Sequence, residues 1–359
     1  MNGEIVKKPL ALVVDDSEMN REILTDMLED EYDVVQAEDG KEALRVISER
    51  INDITVILLD LVMPEVGGVE VLKYMYERGW TERVPVLVIS GETSIEIENE
   101  CFDLGVFDFL HKPYEPVLVN LRIRNATTLM NYRNNLEEMV RQKTEELKQI
   151  NEDIIELLGN VVEARSLESG QHVKRVKYFT RSLAGCIMQN YPEYNITAHW
   201  IDTVASASAL HDVGKVMIAD NILHKPGKLT DEEFAEMKNH SVYGCEILNN
   251  TPENWSREYF EVSYAICRHH HERFDGRGYP DGLSGNDIPL EAQIVSVADC
   301  FDALTTKRVY KDAFSVDKAY DMILGGDCGS FNPDIMDCFE KCRDEFEKMV
   351  AKNPSIVSG

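Results

Sequence analysis

Apolar runs alternate with amphipathic segments along residues 10–112, and the rest of the chain shows helical spacing alone. The five runs of strand length are Ala11–Val14, Val34–Ala37, Ile54–Leu59, Val84–Ile89 and Val106–Leu110. The helical patterns between them are Glu18–Glu29, Gly40–Glu49, Gly68–Arg78 and Ser94–Leu104. This alternation predicts a doubly wound α/β domain with a parallel sheet over residues 1–125. Functional groups of such sheets gather at the carboxyl ends of the strands.

Residues 126–161 are predicted to form a helical linker. Eight positions in it, apolar except for Lys143, follow alternating steps of three and four residues, which is the a/d pattern of a coiled coil. These positions, which we call the seam, are Leu136, Val140, Lys143, Leu147, Ile150, Ile154, Leu157 and Val161. The seam indicates a parallel homodimer, with Lys143 as the polar position that sets the register. The alternative is a long helix that packs on its own chain.

Residues 162–359 are predicted to form an all-α domain. Its helical patterns include Ala198–Leu210, Asp231–Leu248, Tyr259–Arg268 and Leu290–Leu304, and turn clusters separate them at Lys225–Gly227 and Asp275–Gly285. This domain holds eight of the nine histidines of the chain. The sequence therefore predicts a multidomain protein with an α/β domain, a helical linker and an all-α domain.

The net charge of −28 limits the classes of partner. So acidic a protein repels a phosphate backbone, and DNA binding is not expected. An anionic ligand would need local positive charge, from bound cations and a few lysines and arginines.

Targeting and cysteine usage add two expectations. Met1–Pro9 lacks the apolar core of a signal peptide, and no apolar stretch is long enough to span a bilayer. We therefore expect a cytoplasmic protein without membrane insertion. The eight cysteines form no CxxC pair, which argues against a disulfide framework or a zinc ribbon.

Polar residues follow the strands of the α/β domain at the edge where function is expected. Asp15 and Asp16 end the first strand and Asp60 ends the third. Three converging carboxylates need a divalent cation, and oxygen ligands suit Mg²⁺. A carboxylate so placed is a plausible nucleophile toward a phosphoryl donor. Ser90 and Lys112, after the fourth and fifth strands, could hold phosphoryl oxygens.

Together with Met63-Pro64 and Gly68, these residues resemble the response-regulator receiver family over residues 10 to about 125. The resemblance implies a flavodoxin-like fold, a sensor histidine kinase as partner and phosphorylation of Asp60. It also implies the other functional positions. Asp15, Asp16 and the backbone of Val62 would hold Mg²⁺, Ser90 would be the switch hydroxyl, Phe109 the switch aromatic and Lys112 the phosphate-sensing lysine. Phenylalanine stands where tyrosine is more usual, which removes that side chain's hydrogen bond.

Histidines and acids of the all-α domain form a second set of candidate ligands. His211-Asp212 offers a nitrogen and an oxygen ligand side by side, a mixture that suits Fe, Mn or Zn better than Ca or Mg. The further candidates are Glu168, His172, His240, His270, His271 and Asp299. Their number exceeds the needs of one metal ion. A carboxylate such as Asp212 can bridge two ions, and such pairs suit attack on phosphodiesters.

The longer motifs resemble the HD-GYP branch of the HD phosphohydrolases, over about Glu163 to Lys311. The segments that carry the resemblance are His211-Asp212, His240–Gly244, His270–Pro280 and Ala298–Thr306, followed by Arg308 and Lys311. The resemblance implies hydrolysis of cyclic di-GMP to pGpG or GMP at a centre that activates a bridging water. Six residues match the family's metal ligands: His211, Asp212 (bridging), His240, His270, His271 and Asp299. Glu168 and His172 match a third metal site, and Lys215, Arg308 and Lys311 match contacts to the substrate phosphates, with Asp212 and Lys215 acting in catalysis.

Other functions and several neighbouring residues bear on this interpretation. The other functions are hydrolysis of another cyclic dinucleotide, another nucleotide phosphohydrolase reaction, and a scaffold that senses the messenger without turnover.

His269 is expected to be a bystander, because three consecutive helical side chains cannot face one site. Glu272 is expected to orient a ligand histidine. The turn at residues 276–285 is expected to border the active site.

Overall fold

The computed structural model describes residues 8–91, 95–166, 171–250, 255–307 and 313–352. The chain divides into two compact units, Met1–Glu145 and Glu146–Gly359. A single long helix, Pro116–Arg165, contains the boundary between them.

The first unit is a parallel sheet with helices on both faces, which confirms the predicted α/β fold. Its strands are β1 (Leu10–Val14), β2 (Asp33–Ala37), β3 (Ile54–Asp60), β4 (Val86–Ser90) and β5 (Asp108–His111). Its helices are α1 (Glu18–Leu28), α2 (Gly40–Arg50), α3 (Gly68–Glu77), α4 (Ile95–Asp103) and the first part of α5 (Pro116–Arg165). The strand order is β2-β1-β3-β4-β5, and all four pairings are parallel.

Both faces of the sheet are buried at its three central strands, so β1, β3 and β4 are almost continuously apolar. Leu12 and Val14 of β1 point into one core, and Ala11 and Val13 point into the other. This alternation is the period of two of a strand. Pairing in register then brings the carboxyl ends of β1, β3, β4 and β5 to one edge of the sheet.

Every element of the second unit is helical over its described residues, as the sequence predicted. Besides the last part of α5, its helices are α6 (His172–Asn190), α7 (Ala198–Ala207), α8 (Asp220–Leu223), α9 (Asp231–Lys238), α10 (His240–Asn249), α11 (Arg257–His269), α12 (Leu290–Thr305), α13 (Val316–Leu324), α14 (Pro333–Lys341) and α15 (Arg343–Ala351). Short 3₁₀ helices lie at Pro192–Tyr194, Ser208–Leu210, Val213–Met217 and Gly285–Asp287. Phe179, Phe301 and Phe346 form the centre of the main core, with ring centroids 4.4–5.1 Å apart.

One predicted helix, Asp231–Leu248, is two helices in the structure. The ring of His240 donates through Nδ1 to the carbonyl oxygen of Met237, 2.7 Å away. In a continuous helix that oxygen would accept from the backbone of Ser241. The break at Asn239 therefore makes His240 the first residue of α10.

The seam of α5 is exposed in the single chain. Its apolar members are between 45% and 62% exposed. Other faces of the helix pack on the chain: Val119, Ile123 and Ala126 in the first unit, and Gly159 and Glu163 in the second. The helix thus packs on its own chain through these faces, the described residues leave the seam uncovered, and the dimer stays a prediction.

Two other expectations concern bilayers and disulfides. Among the described helices, none combines the length and the apolar character that a membrane span requires. All eight cysteines are free thiols.

Candidate functional sites

The carboxyl edge of the sheet brings three acids and a lysine together. Ligand oxygens of Asp15, Asp16 and Asp60 all lie within 4.8 Å of one another. Lys112 Nζ lies 2.7 Å from Asp60 Oδ2 and 3.1 Å from Asp15 Oδ2. The backbone N–H of Val62 donates to Asp60 Oδ1 at 3.0 Å. Asp15 and Asp60 are buried and Asp16 is exposed. A cation here would bind carboxylate oxygens from the two buried acids and would remain open to solvent on the side of Asp16.

The two buried carboxylates have opposite pKa shifts. Burial raises the pKa of Asp60, and contact with Asp15 adds to this against the opposing effect of Lys112. Burial also opposes ionisation of Asp15, but hydrogen bonds from Asn20 and from the backbone of Ser17 outweigh it and lower its pKa. A divalent cation would offset the repulsion between the two groups, so these residues fit Mg²⁺.

The predicted switch positions lie near this edge. Ser90 is buried, and its hydroxyl lies 3.1 Å from Nδ1 of His111. Phe109 is buried and packs edge-on against Phe102, with ring centroids 5.1 Å apart. Their roles as switch residues stay predictions.

Asp212 lies at the centre of the second site. Its Oδ1 is 3.3 Å from His240 Nε2 and 3.8 Å from His270 Nε2. Its Oδ2 is 3.1 Å from His211 Nε2 and 2.6 Å from Lys215 Nζ. One carboxylate thus faces two imidazoles with one oxygen and a third imidazole with the other, which is the arrangement that a bridging ligand needs.

Hydrogen bonds fix the orientation of the histidines. Nδ1 of His211 lies 2.8 Å from the carbonyl oxygen of Ser208, and Nδ1 of His270 lies 2.9 Å from that of Ile266. His240 makes the bond to Met237 described above. Because a carbonyl only accepts, each Nδ1 carries a proton, and each Nε2 is turned toward Asp212 as the atom available to a metal ion.

Three buried polar atoms at this centre make no hydrogen bond within the described residues: Asp212 Oδ1, His240 Nε2 and His270 Nε2. Buried polar atoms without a partner are costly and rare in folded proteins. All three face one another, and His271 completes a group whose ligand atoms lie within 4.8 Å. A metal ion between them would satisfy all of them at once, so the donor set fits a cation.

The pKa shifts suit ligation by neutral imidazole. Burial lowers the pKa of His270 and His271 well below the usual range and also lowers that of His240. Burial would lower the pKa of His211 too, but Asp212, Asp299 and Glu163 outweigh it and raise it to about 10. A bound cation would take the place of that proton, since ligation needs the neutral ring.

A second group of ligands shares Asp212 with the first and contains His211. It adds Glu163 from α5 and His172 from α6, with ligand atoms within 4.8 Å of one another. Asp299 Oδ1 lies 3.6 Å from His172 Nε2 and 3.9 Å from His211 Nε2. The structure therefore brings together seven of the eight predicted ligands, and the eighth, Glu168, lies outside the described residues.

Glu163 was not predicted as a ligand. It is buried one helical turn after Gly159, where a Cβ atom would lie 2.6 Å from the carbonyl oxygen of Ala209. Only glycine allows α5 to approach the segment before His211 so closely. The spacing of Gly159 and Glu163, on a different face from the seam, is the signal that could have found it.

Arg165, the last residue of α5, binds the segment that follows Asp212. The guanidinium of Arg165 donates to the carbonyl oxygens of Lys215 at 3.1 Å and Ile218 at 2.8 Å, and to Asp220 Oδ1 at 2.7 Å. Gly214 lies against the carbonyl oxygen of His240, where any side chain would collide. The end of α5 and the start of α10 thus hold the segment that carries Lys215.

Asp302 supports the second ligand group. It accepts from His172 Nδ1 at 2.6 Å and from Arg175, a fully buried arginine on the same helix as His172. Sequence reasoning placed Asp302 inside a motif without giving it a role. Its role in the structure is to orient His172 and to neutralise Arg175.

The turn after the histidine pair borders the centre, as expected. The ring of Tyr279 stacks on that of His271, with centroids 4.7 Å apart. Glu272 accepts from the backbone N–H groups of Asp281 at 2.8 Å and Gly282 at 3.0 Å. The expectation that Glu272 orients a histidine is wrong: its hydrogen bonds hold this turn. His269 lies apart from the ligands, 3.5 Å from Asp281.

The predicted phosphate contacts are described only in part. Lys215 lies beside Asp212, whereas Arg308 and Lys311 lie outside the described residues. Burial opposes ionisation of Asp212, but Lys215 and His211 outweigh it and hold its pKa well below the usual range. Lys215 is therefore placed to meet negative charge at the centre.

Comparison with known proteins gives two family matches and several relatives. Residues 11–124 match the response regulator receiver domain, and residues 134–331 match the HD domain. A Vibrio cholerae protein named "Probable cyclic di-GMP phosphodiesterase" is 35% identical over 94% of this chain and 79% of its own length. The Xanthomonas campestris "Cyclic di-GMP phosphodiesterase response regulator RpfG" is 30% identical over 94% of this chain and 89% of its own. The Vibrio cholerae "3'3'-cGAMP-specific phosphodiesterase 2" is 39% identical over 58% of this chain and 38% of its own.

Proposed function

This chain belongs to the HD domain family and carries a response regulator receiver domain, and from that premise we propose that it is a response-regulator phosphodiesterase that hydrolyses cyclic di-GMP. The observation that carries the proposal is Asp212, whose two oxygens face two groups of metal-ligand atoms. The names of relatives that align over most of both chains support the choice of substrate.

The residues of the site divide the work between binding and charge stabilisation. The metals, when bound, activate a water nucleophile and neutralise charge on the phosphate oxygens. Asp212 bridges the two ligand groups, and Lys215 stabilises the charge that develops on the non-bridging oxygens. Arg308 and Lys311 are assigned to the substrate phosphates on the motif alone. Positioning carries most of the rate enhancement, as in other phosphoryl transfers.

We propose two or three divalent ions, with Fe or Mn favoured by the mixed nitrogen and oxygen donors. His211, Asp212, His240, His270, His271 and Asp299 would hold two of them. A third would use His172 with Glu168 or Glu163. The buried position of Glu163 in the second ligand group supports it as the acid of that site.

The test is turnover. Purified protein loaded with Fe²⁺ or Mn²⁺ is incubated with cyclic di-GMP, and linear pGpG and GMP are separated by chromatography. Formation of either product, and its loss after chelation, supports the proposal. Intact substrate under every metal condition would refute it and would favour the messenger-sensing scaffold. A parallel incubation with cyclic GMP-AMP tests the second candidate substrate, which one relative's name supports.

The receiver domain implies a phosphodonor partner, and we propose a sensor histidine kinase acting on Asp60. Turnover should change by about fivefold or more when an acyl phosphate is added, which is the lower end of ordinary coupling energies. Asp60→Asn should remove the response, because the acceptor oxygen is lost. The control Asp53→Asn, an exposed acid at the other end of β3, should respond like the wild type. An equal response in Asp60→Asn would contradict phosphorylation at this position.

We also propose a homodimer through the seam of α5, because its apolar side chains are exposed at coiled-coil spacing. Leu147→Glu places a charge at a seam position and should weaken the dimer by about 100-fold or more, because burial of an unpaired charge is costly. Light scattering should then give the 40.9 kDa monomer at concentrations where the wild type has twice that mass. Gln142→Glu adds the same charge outside the seam and should stay dimeric. A wild-type protein that is monomeric by light scattering would contradict the proposed dimer.

A further inference from the structure

Close to the metal centre lies a small aromatic patch that contains a lysine. Lys238 Nζ is 5.3 Å from the ring centroid of Phe234 and 5.8 Å from that of Tyr279. Tyr279 in turn stacks on His271 and lies edge-on to His240, 6.4 Å between centroids. One aromatic ring therefore separates the lysine from two of the proposed metal ligands.

The positions of these side chains are fixed by α9. Phe234 and Lys238 are four residues apart and share one face of that helix. Thr230 and Glu233 form a capping box at its start. At its end, Asn239 and Tyr243 both donate to the carboxylate of Glu236, at 2.9 Å each. These bonds hold the two ends of α9, and the side chains of Phe234 and Lys238 take no part in them.

Two features of the patch are unexplained by the metal centre. Phe234 is 50% exposed although it neighbours a buried site. Lys238 forms no ion pair among the described residues, although Glu233 and Glu236 precede it on α9; Glu233 pairs with Lys225 instead. An exposed ring and an ammonium group without a carboxylate partner, next to the proposed metal centre, are complementary to the base of a nucleotide. Every base stacks on an aromatic face, and a lysine donates to O6 and N7 of guanine.

We propose that Phe234 and Lys238 form a subsite for one guanine base of the substrate, with Lys238 as the residue that distinguishes guanine from adenine. At the position of guanine O6, adenine carries an amino group, which cannot accept from an ammonium. The proposal rests on the proposed function and deepens it, since it concerns which cyclic dinucleotide the site prefers.

The test compares substrates that differ in their bases. Lys238→Ala should raise the KM for cyclic di-GMP about tenfold with little effect on kcat, because a good base contact is worth about that factor. The ratio of kcat/KM for cyclic di-GMP to that for cyclic di-AMP should fall by a similar factor in Lys238→Ala. Lys238→Arg should keep the wild-type ratio. Phe234→Ala should raise the KM for both substrates by the same factor, since an aromatic ring stacks on any base. Lys348→Ala, an exposed lysine on α15, is the control.

A base-free diester separates this proposal from a role in the chemistry. The ratio of kcat/KM for cyclic di-GMP to that for bis(4-nitrophenyl) phosphate should fall about tenfold in Lys238→Ala. Equal losses on both substrates would place Lys238 at the reacting phosphate and overturn the guanine subsite.

Failure of the proposed function would have a different signature. If the wild type hydrolyses bis(4-nitrophenyl) phosphate but not cyclic di-GMP, inhibition by GMP still tests the subsite. The inhibition constant for GMP should rise about tenfold in Lys238→Ala relative to that for inorganic phosphate. A rise equal for both inhibitors, or none, would overturn the proposal.

Discussion

Asp212→Ala should reduce turnover of cyclic di-GMP by about a thousandfold or more, because the substitution removes the one ligand shared by both metal groups. Oδ1 faces His240 and His270, and Oδ2 faces His211 and Lys215. Loss of the carboxylate therefore disturbs both ligand groups and removes the 2.6 Å contact with Lys215. The measurements are kcat with saturating metal and the number of metal ions bound per chain.

Two controls separate this result from general damage. Asp202→Ala, at an acid of the same unit paired with surface arginine and lysine side chains, should keep nearly full activity. The Asp212→Ala protein should still accept phosphate on Asp60, because the receiver folds around its own core. Full activity and full metal content in Asp212→Ala would mean that the centre has been placed on the wrong residues.

Much of this site could be predicted because its ligands occur in compact motifs. His211 and Asp212 are neighbours in the sequence, as are His270 and His271, so each pair needs only one segment to be placed correctly. At the sheet, the chain order alone brings Asp15 and Asp60 to one edge, since parallel strands pair in register.

The residues that sequence reasoning missed act through tertiary contacts. Glu163 reaches the ligands only because Gly159 lets α5 approach residue 209, and Asp302 matters because it lies between His172 and Arg175. The break at Asn239 depends on one bond from a side chain, which helix periodicity cannot show. Phe234 and Lys238 lie between the recognised motifs His211-Asp212 and His240–Gly244, so their relation to Tyr279 emerges only in the fold.

The distribution of cations shows why metals are needed in so acidic a chain. The buried guanidinium of Arg175 is committed to Asp302, and that of Arg165 to backbone carbonyls and Asp220. Lys215 contacts Asp212 at the centre itself. Among the described residues, these side chains are committed to holding the architecture, so bound metal ions would supply positive charge that a substrate with two phosphates needs.

Asp302→Ala should lower the free energy of unfolding of the second unit by about 3–5 kcal/mol, because it leaves the buried charge of Arg175 without a partner. Arg175 is 1% exposed, so water cannot replace the lost carboxylate. His172 loses the acceptor at 2.6 Å that orients its ring, and metal affinity at the second ligand group should fall by about 10–100-fold. Urea unfolding in a Trp80→Phe background isolates the unit, since Trp200 and Trp255 both belong to it.

The cause of that loss can be tested by removing the buried charge as well. A double substitution, Arg175→Leu with Asp302→Leu, should be more stable than Asp302→Ala, because no uncompensated charge remains in the core. Glu261→Ala breaks the exposed pair with Arg257 and should cost less than about 1 kcal/mol. If Asp302→Ala costs no more than Glu261→Ala, or if the double substitution restores nothing, the burial of Arg175 does not depend on Asp302. The orientation of His172 would then need another source, and the second metal group would lose its structural support.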